Sequence, residues 1–347
     1  MGSITLPLII LGLALAFYIA WCIGSNDAAN PTNTAVGSGA LSITKAIVLF
    51  SIFAFLGALV QGWMVIKTFG RGISEIRLVH DAVIASLSTA LWITIASYKG
   101  LPISTTHSSV GSVLGIGLAY TILGYGISVN LQVLIKIIIS WITSPLGAIA
   151  LAAIFYILFK MLALKLTKAG INVDKIFRLI LIFSLAYSAY SFGANDVGNA
   201  TGVYLAVVGV GSRGLAFDML TSLMLASLGA VGIIIGGFTL GKRVINTVAF
   251  GITRLDYLTG SAAGLANALI VWVFTTIPTL VWGWGMPIST THASVSAVLG
   301  VGLIRHGVKG VNWRVIIKIL ASWLLTVPIT ATTSLCIRLL LAHMLGI

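Results

Sequence analysis

Two polar motifs occur twice in this chain. Gly24-Ser25-Asn26-Asp27-Ala28-Ala29-Asn30 returns as Gly193-Ala194-Asn195-Asp196-Val197-Gly198-Asn199, and Pro102-Ile103-Ser104-Thr105-Thr106-His107 returns letter for letter as Pro287-Ile288-Ser289-Thr290-Thr291-His292. The first motif supplies a carboxylate and two carboxamides: Asn26, Asp27 and Asn30, then Asn195, Asp196 and Asn199. Their oxygens are hard donors suited to a hard cation such as sodium. Glycine and asparagine also tolerate non-helical backbone that turns carbonyls toward an ion, so a helix broken at Gly24 and at Gly193 is expected to form a cation site. The plainer reading is a polar helix end capped by Asp27 or Asp196, and one copy alone would not decide between them. The second motif reads as a helix start, because proline disfavours helix before it and Ser or Thr caps free amides. Ser104, Thr105 and Thr106, with Ser289, Thr290 and Thr291, then join hydroxyls to the amides of a helix N-terminus. That is a site for a tetrahedral oxyanion, and it needs no buried Lys or Arg. Ordinary N-caps at water are the alternative.

The elements that hold these residues are membrane helices. Of 347 residues, 59% are hydrophobic and only 8% charged, with a mean hydropathy of +1.11. Soluble domains carry roughly 25% charged residues, so the composition is that of an integral membrane protein. The net charge of +13 invites a nucleic-acid reading. However, most Lys and Arg lie in short connections between apolar spans, where they orient the chain in a bilayer. Cys22 and Cys336 lie in apolar segments and indicate neither a disulfide framework nor a metal site. The first apolar run has no basic region before it and leads into the first Asn-Asp motif, so it reads as a retained span.

Apolar segments fall at about 4–23, 43–66, 79–98, 103–123 and 131–166, then at 176–192, 215–240, 256–282, 288–304 and 313–345. Most reach the ~20 residues that a spanning helix needs. The fifth and tenth are longer and contain Pro145 and Pro328, where a kink or break is expected. They also correspond, since Ser140-Trp141-Ile142-Thr143-Ser144 resembles Ser322-Trp323-Leu324-Leu325-Thr326. The expectation is an all-α polytopic membrane protein of about 10–12 membrane segments with discontinuous helices. Its first inverted repeat would be residues 1–167 and its second 168–347, in one membrane domain. An odd number of crossings per half inserts the halves upside down. With the N-terminus outside, Lys160, Lys165, Lys168, Lys175 and Arg178 lie inside, as do Lys242, Arg243 and Arg254, and Arg305, Lys309 and Arg314. Lys67, Arg71 and Arg77 run against that assignment.

The remaining polar residues carry weaker signals. His107 and His292 read as packing or hydrogen-bonding residues rather than proton carriers. Gly111 and Gly115, like Ser296 and Gly300, are small residues at the spacing that lets helices pack closely in lipid. Gln61 lies within an apolar span and faces either the substrate or another helix; it is counted with the anion-binding candidates. Asp81 and Asp256, beside Arg77 and Arg254, read as solvated helix-end charges. Trp21, Trp63, Trp141, Trp282 and Trp313, near span ends, read as interface anchors.

Through these motifs the sequence resembles the inorganic phosphate transporter (PiT) family. The family signature looks like Gly-Ala-Asn-Asp-Val-x-Asn-Ala, which Gly193 to Ala200 match and residues 24–30 match with Ser25 for alanine. The resemblance runs from about residue 10 to 335. It implies a phosphate transporter, usually sodium-coupled and in some branches proton-coupled, with inverted repeats, the anion between the halves and cations beside it, in a homodimer. Carried over by position, sodium falls on Asn26, Asp27, Asn30, Asn195, Asp196 and Asn199. Phosphate falls on Ser104, Thr105, Thr106, Ser289, Thr290 and Thr291. Ser144 and Thr326 join the sodium set and are also placed to support the anion. Some relatives have further glutamates inside the spans; residues 28–74 hold one carboxylate-free stretch here and 257–286 another. The large central insertion of animal members is absent.

The leading expectation is therefore a secondary active symporter of phosphate driven by sodium, not an enzyme, embedded in the cell membrane as a multi-pass protein. It uses no cofactor beyond the coupling ion and has no nucleic-acid partner. A sulfate or other oxyanion permease of the same fold, proton-coupled phosphate transport, and a passive anion channel are the alternatives. A hydrolase built on Ser104 and His107 is disfavoured by their short spacing and by the second copy. No nucleotide-binding loop is present to drive transport with ATP.

Overall fold

A computed structural model describes residues 6–345 except 72, 75, 77, 127–128 and 205–218. Arg77 and the first residues of the 215–240 segment therefore lie outside the described residues. The first half contains α1 (Leu6–Asp27), α2 (Ala29–Gly37), α3 (Ile43–Gln61), α4 (Trp63–Arg71), α5 (Val79–Tyr98), α6 (Thr105–Ile122) and α7 (Leu131–Lys168). The second contains α8 (Val173–Thr201, continued by a 3-10 turn Gly202–Tyr204), α9 (Met219–Thr239), α10 (Gly241–Gly251), α11 (Tyr257–Trp282), α12 (Thr290–His306) and α13 (Trp313–Leu345). Among the described residues the β structure is one isolated bridge, Ser74 to Val129.

Eight stretches of the described residues are long and apolar enough to cross a membrane: 10–37, 43–61, 80–98, 131–168, 173–204, 219–239, 257–282 and 313–344. With α6 and α12 they account for the ten apolar segments. The outer surface is apolar, and within the apolar core lies a buried polar cluster. Ile142, Leu146, Leu324 and Met344 are exposed, whereas Asn26, Asp27, Asn195, Asp196 and most motif hydroxyls are buried. In lipid this is the stable arrangement, because polar groups have no water to return to. Pro145 and Pro328 lie inside helices that run on unbroken.

The halves make the same contacts twice. α1 packs on α9 as α8 packs on α3; α5 and α6 lie against α13 as α11 and α12 lie against α7. α1 and its equivalent α8 run antiparallel. Gly12 near the start of α1 meets Tyr204 past the end of α8, while the region of Ser38 past α2 lies by Leu181, early in α8. Glycines permit this approach. A Cβ on Gly24 would stand 1.9 Å from the Ile233 carbonyl oxygen, and one on Gly193 would stand 1.9 Å from that of Ala54. These glycines do not break their helices, contrary to the sequence expectation. α1 continues to Asp27 and turns at Ala28, and α8 passes straight through Gly193. Their role is contact between backbones.

α5 and α6 form a hairpin with both outer ends together, since Tyr120 late in α6 donates to Asp81 early in α5 and Thr89 lies 2.5 Å from Ser112. α11 and α12 repeat it, with Arg305 paired to Asp256. Each tip carries a Pro-Ile-Ser-Thr-Thr-His motif into the middle of the bundle.

Gly24→Leu and Gly193→Leu should each lower thermal stability by more than ~1–3 kcal/mol, because the obstructing atoms are backbone rather than a mobile side chain. Gly241→Ala, where the new Cβ meets nothing closer than 3.6 Å, should be near neutral. Melting of detergent-solubilised protein followed by size-exclusion fluorescence measures both; equal melting points for all three would contradict the packing role.

Candidate functional site

At each hairpin tip the chain is extended for several residues before its helix begins, so its backbone groups need partners outside the helix. Asn26 supplies them on one side. Its amide nitrogen donates to the Leu101 carbonyl (2.9 Å) and to Ser97 Oγ (3.1 Å), and its Oδ1 accepts from the Ile103 N–H (3.1 Å). Asn195 repeats the hold on the second tip, donating to the Met286 carbonyl (2.9 Å) and Thr275 Oγ1 (2.7 Å). Ser104 and Ser289 are N-caps, each accepting from the N–H of the histidine three residues on, at 3.1 Å. The two tips are then stapled reciprocally. Thr106 Oγ1 donates to the Ile288 carbonyl (2.7 Å), and Thr291 Oγ1 to the Ile103 carbonyl (2.9 Å).

Asp27 and Asp196 meet where the tips meet, and both are fully buried. Thr105 Oγ1 donates to Asp27 and lies 3.4 Å from Asp196 Oδ1. Thr291 Oγ1, whose one proton is shared with the Ile103 carbonyl, lies 3.1 Å from Asp27 Oδ1, and Thr290 reaches Asp196. Asn30 bridges to the far tip, donating to Thr290 and Thr291 (both 3.1 Å). Asn199 donates to Thr106 (3.1 Å) and Asp196 (2.8 Å). Several oxygens here have no partner among the described residues: Asp196 Oδ2 and the Oδ1 atoms of Asn30, Asn195 and Asn199. All are acceptors. Facing them are the first-turn amides of α6 and α12, which no helical ladder uses. The centre thus presents both unmatched oxygens for a cation and free N–H groups with hydroxyls for an anion.

The structure brings twelve of the sequence-read residues into this cluster: the two Asp, four Asn, two Ser and four Thr. It does not bring the others. Ser144 is buried on α7 with an unpartnered hydroxyl, and Thr326 accepts from Trp92 Nε1 (3.0 Å) and donates to Ser322 (2.7 Å). Gln61 stands at the α3–α4 break with Oε1 unpartnered, beside Gly62, which packs on Val197. Two expectations are corrected. Asp81 is not a solvated end charge but fully buried, paired with Arg338 (2.7 Å) and Tyr120. Asp256, by contrast, is the half-exposed helix-end charge expected, capping α11 and paired with Arg305. Trp141 is not an interface anchor: it packs on His107 with ring centroids 3.8 Å apart, Trp323 packs on His292 at 3.7 Å, and the two imidazoles meet at 4.5 Å. Sequence reasoning missed Asn33, Asn267 and Ser294, which converge with one another on the Asn30 carbonyl. A lone carboxamide one helical turn past Asn30, and another inside an apolar span, were the available signals.

Paired re-entrant tips around a buried polar centre, inside a shell of apolar helices, define an integral membrane transport protein. The model of the Phosphate transporter family matches residues 23–334, and the chain belongs to that family. A Pyrococcus horikoshii protein named "Putative phosphate permease" is 34% identical, over 93% of this chain and 95% of its own. The chloroplastic inorganic phosphate transporter 2-1 of Arabidopsis thaliana is 29% identical over 92% of this chain and 70% of its own. A solved sodium-dependent phosphate transporter superposes with a TM-score of 0.82 at 30% identity, covering 97% of this chain and all of that one. The protein is thus a phosphate transporter and not an enzyme.

Thr106→Val and Thr291→Val keep side-chain volume; each deletes a tip-to-tip hydrogen bond together with the hydroxyl that accepts from Asn199 or Asn30, and Thr291→Val also removes the contact with Asp27. Each should cost about 0.5–1.5 kcal/mol, and the pair about twice that, with the fold retained. Thermal melting of the single and double variants measures this; an unchanged double variant would mean the staples do not hold the tips together.

Proposed function

We propose that the protein is a sodium-coupled phosphate symporter that works by alternating access. The observation that carries this reading is the pair of fully buried carboxylates, Asp27 and Asp196, gathered at one hydroxyl between two facing helix N-termini. Two like charges in a low-dielectric centre repel, and a bound cation is the direct way to neutralise them. A phosphate carries its own negative charge into the same centre, so its entry is favoured only when cations accompany it. Coupling then follows from electrostatics, and a passive anion channel would have no use for either carboxylate.

In this reading sodium is held by Asp27 and Asp196 with the free oxygens of Asn30, Asn195 and Asn199. Asn26 positions the tip, and Ser144 and Thr326 stand further out in the set. Phosphate is held by the first-turn amides of α6 and α12 and the hydroxyls of Thr105, Thr106, Thr290 and Thr291, with Ser104 and Ser289 setting the helix starts. Gln61 is assigned to the anion's approach. Residues 1–167 and 168–347 act as inverted halves that rock about the fixed site, supported by the antiparallel course of α1 and α8. The functional unit is a homodimer.

Uptake of labelled phosphate into proteoliposomes, with sodium and pH gradients imposed separately, tests the proposal. An inward sodium gradient alone should drive accumulation, and excess sulfate should compete poorly. Accumulation driven by the pH gradient and indifferent to sodium would replace sodium with protons. Asp27→Asn and Asp196→Asn should each reduce coupled uptake at least tenfold while the protein stays in the membrane.

Thr105→Val should weaken phosphate affinity about 10- to 150-fold, the equivalent of losing a hydrogen bond to a charged group, ~1.5–3 kcal/mol. Equilibrium binding of labelled phosphate at saturating sodium measures it. Wild-type affinity would make Thr105 a partner of the carboxylates alone.

A further inference from the structure

Each half ties the chain entering its hairpin to the chain leaving it by the same bond. In the first half the Asn130 N–H donates to the Ile73 carbonyl (2.9 Å), and in the second the Asn312 N–H donates to the Ile252 carbonyl (2.9 Å). Both asparagines also cap the long helix that follows, α7 or α13, accepting from the N–H three residues on at 3.2 and 3.4 Å. The fold uses the two junctions alike, but their charges differ. Counted from those contacts, Glu75, Ile127 and Gln132 of the first half match Arg254, Lys309 and Arg314 of the second. Holding the junction therefore does not require the cations.

At the second junction Arg254 and Lys309 line a cavity of about 280 Å³, together with Phe250, Thr253 and Asn312. Among the described residues no carboxylate lines it, and neither cation takes part in an ion pair. The acid closest to Arg254 in the chain, Asp256, is engaged elsewhere, capping α11 and pairing with Arg305. Two cations facing one cavity repel each other, and an anion bound between them relieves that repulsion. Exposed Arg314 and Lys318 follow on α13, one turn apart. The cavity also lies at headgroup depth. The apolar stretches 257–282 and 313–344 begin just past Arg254 and Asn312. Trp313, a residue type that favours the membrane–water boundary, stands at the start of α13 and donates to the Val308 carbonyl (2.9 Å). Phe250 in the lining is exposed, and from Trp313 onward α13 presents exposed Ile317, Leu320 and Leu324 to lipid.

We propose that this cavity is a headgroup site for an anionic phospholipid of the cytoplasmic leaflet, with Arg254 and Lys309 holding its phosphate and its acyl chains lying along the apolar wall of α13. The basic connections assign this end of the molecule to the cytoplasm. Orienting the chain requires positive charge on that face, but it does not require two cations to share one cavity without a counter-charge. The cations select a ligand that bears phosphate, and the apolar wall that starts at the same place selects one that also carries hydrocarbon. A free phosphate would use only the first feature. Bound there, the lipid joins the end of α10, the link that follows it, the turn Val308–Gly310 and the start of α13. Those elements anchor the outer end of the second hairpin, so the lipid steadies the base of the tip that carries Ser289, Thr290 and Thr291. This inference does not depend on which ion drives transport.

The test uses the full chain, purified in detergent and stripped of lipid. Phosphatidylglycerol, or phosphatidylcholine with the same acyl chains, is added, and the one-lipid adduct is titrated by native mass spectrometry. Phosphatidylglycerol should bind at least tenfold more tightly. Arg254→Gln combined with Lys309→Gln should remove that preference. Lys165→Gln combined with Lys168→Gln, which lowers the charge of the same face equally, should keep it. Phosphatidylglycerol with a photoreactive headgroup should label the wild-type protein at 250–254 or 309–314, and this decides the matter should the Arg254/Lys309 variant not fold. Inorganic phosphate in excess fills the central site and should leave the lipid adduct in place. Equal binding of the two lipids, a preference unchanged in the Arg254/Lys309 variant, a preference lost in the Lys165/Lys168 variant, or photolabelling confined to other segments would each overturn the proposal. Displacement of the adduct by inorganic phosphate would make the cavity a free-phosphate site and overturn the lipid assignment.

Discussion

Two carboxylates buried at one point govern the arrangement of this transporter. Asp27 and Asp196 have no exposure, and each is reached by hydroxyls from the hairpin tips. Stripping such a pair of water is expensive, and leaving a buried charge without a partner costs about 3–5 kcal/mol. The surrounding residues reduce that cost without removing it. The hydroxyl of Thr105 and the amide of Asn199 donate to the carboxylates, and Thr291 Oγ1 shares its proton between Asp27 and the Ile103 carbonyl, while the N-terminal ends of α6 and α12 direct positive dipole ends toward them. No Lys or Arg neutralises the pair among the described contacts. A fixed cation there would hold the site in one electrostatic state, whereas a mobile one makes the state depend on what is bound.

The rest of the fold can be understood as what holds those charges in register. Asn26 and Asn195 fasten extended chain that would otherwise have free backbone groups in the interior. Thr106 and Thr291 tie each tip to the other. Gly24 and Gly193 let α1 and α8 approach α9 and α3 backbone to backbone, one turn before each aspartate. His107 and His292, stacked on Trp141 and Trp323, form an aromatic floor close behind the tips. Tips stapled to each other on a glycine-packed frame hold the site from both halves.

Much of this was legible in the sequence because lipid imposes a strong rule: a polar residue inside an apolar run must have a partner. Duplication of Asn-Asp and Ser-Thr-Thr made that rule visible twice, and the cluster contains those residues. What could not be read was which partner each would take. Asn26 and Asn30 are the same residue type four positions apart, yet one holds backbone and the other crosses to the far tip. Helical phase alone does not separate those roles. Gly24 suggested a broken helix because glycine serves equally for unwinding and for close approach, and only the position of Ile233 decides. Asp81 looked like an end charge because its partner, Arg338, lies more than two hundred residues away. The polar side of α2 went unread because Asn33 and Thr34 have no copies in the second half, and repetition was the signal being followed.

Binding of ²²Na to purified protein in the absence of phosphate tests the central claim most directly. Saturable sodium binding should be present in the wild type and lost when Asp27→Asn and Asp196→Asn are combined, with the double variant still folded by its melting transition. Saturable binding of the same stoichiometry and affinity in that double variant would contradict the account, because the charge held at the tips would then not be what the cation answers.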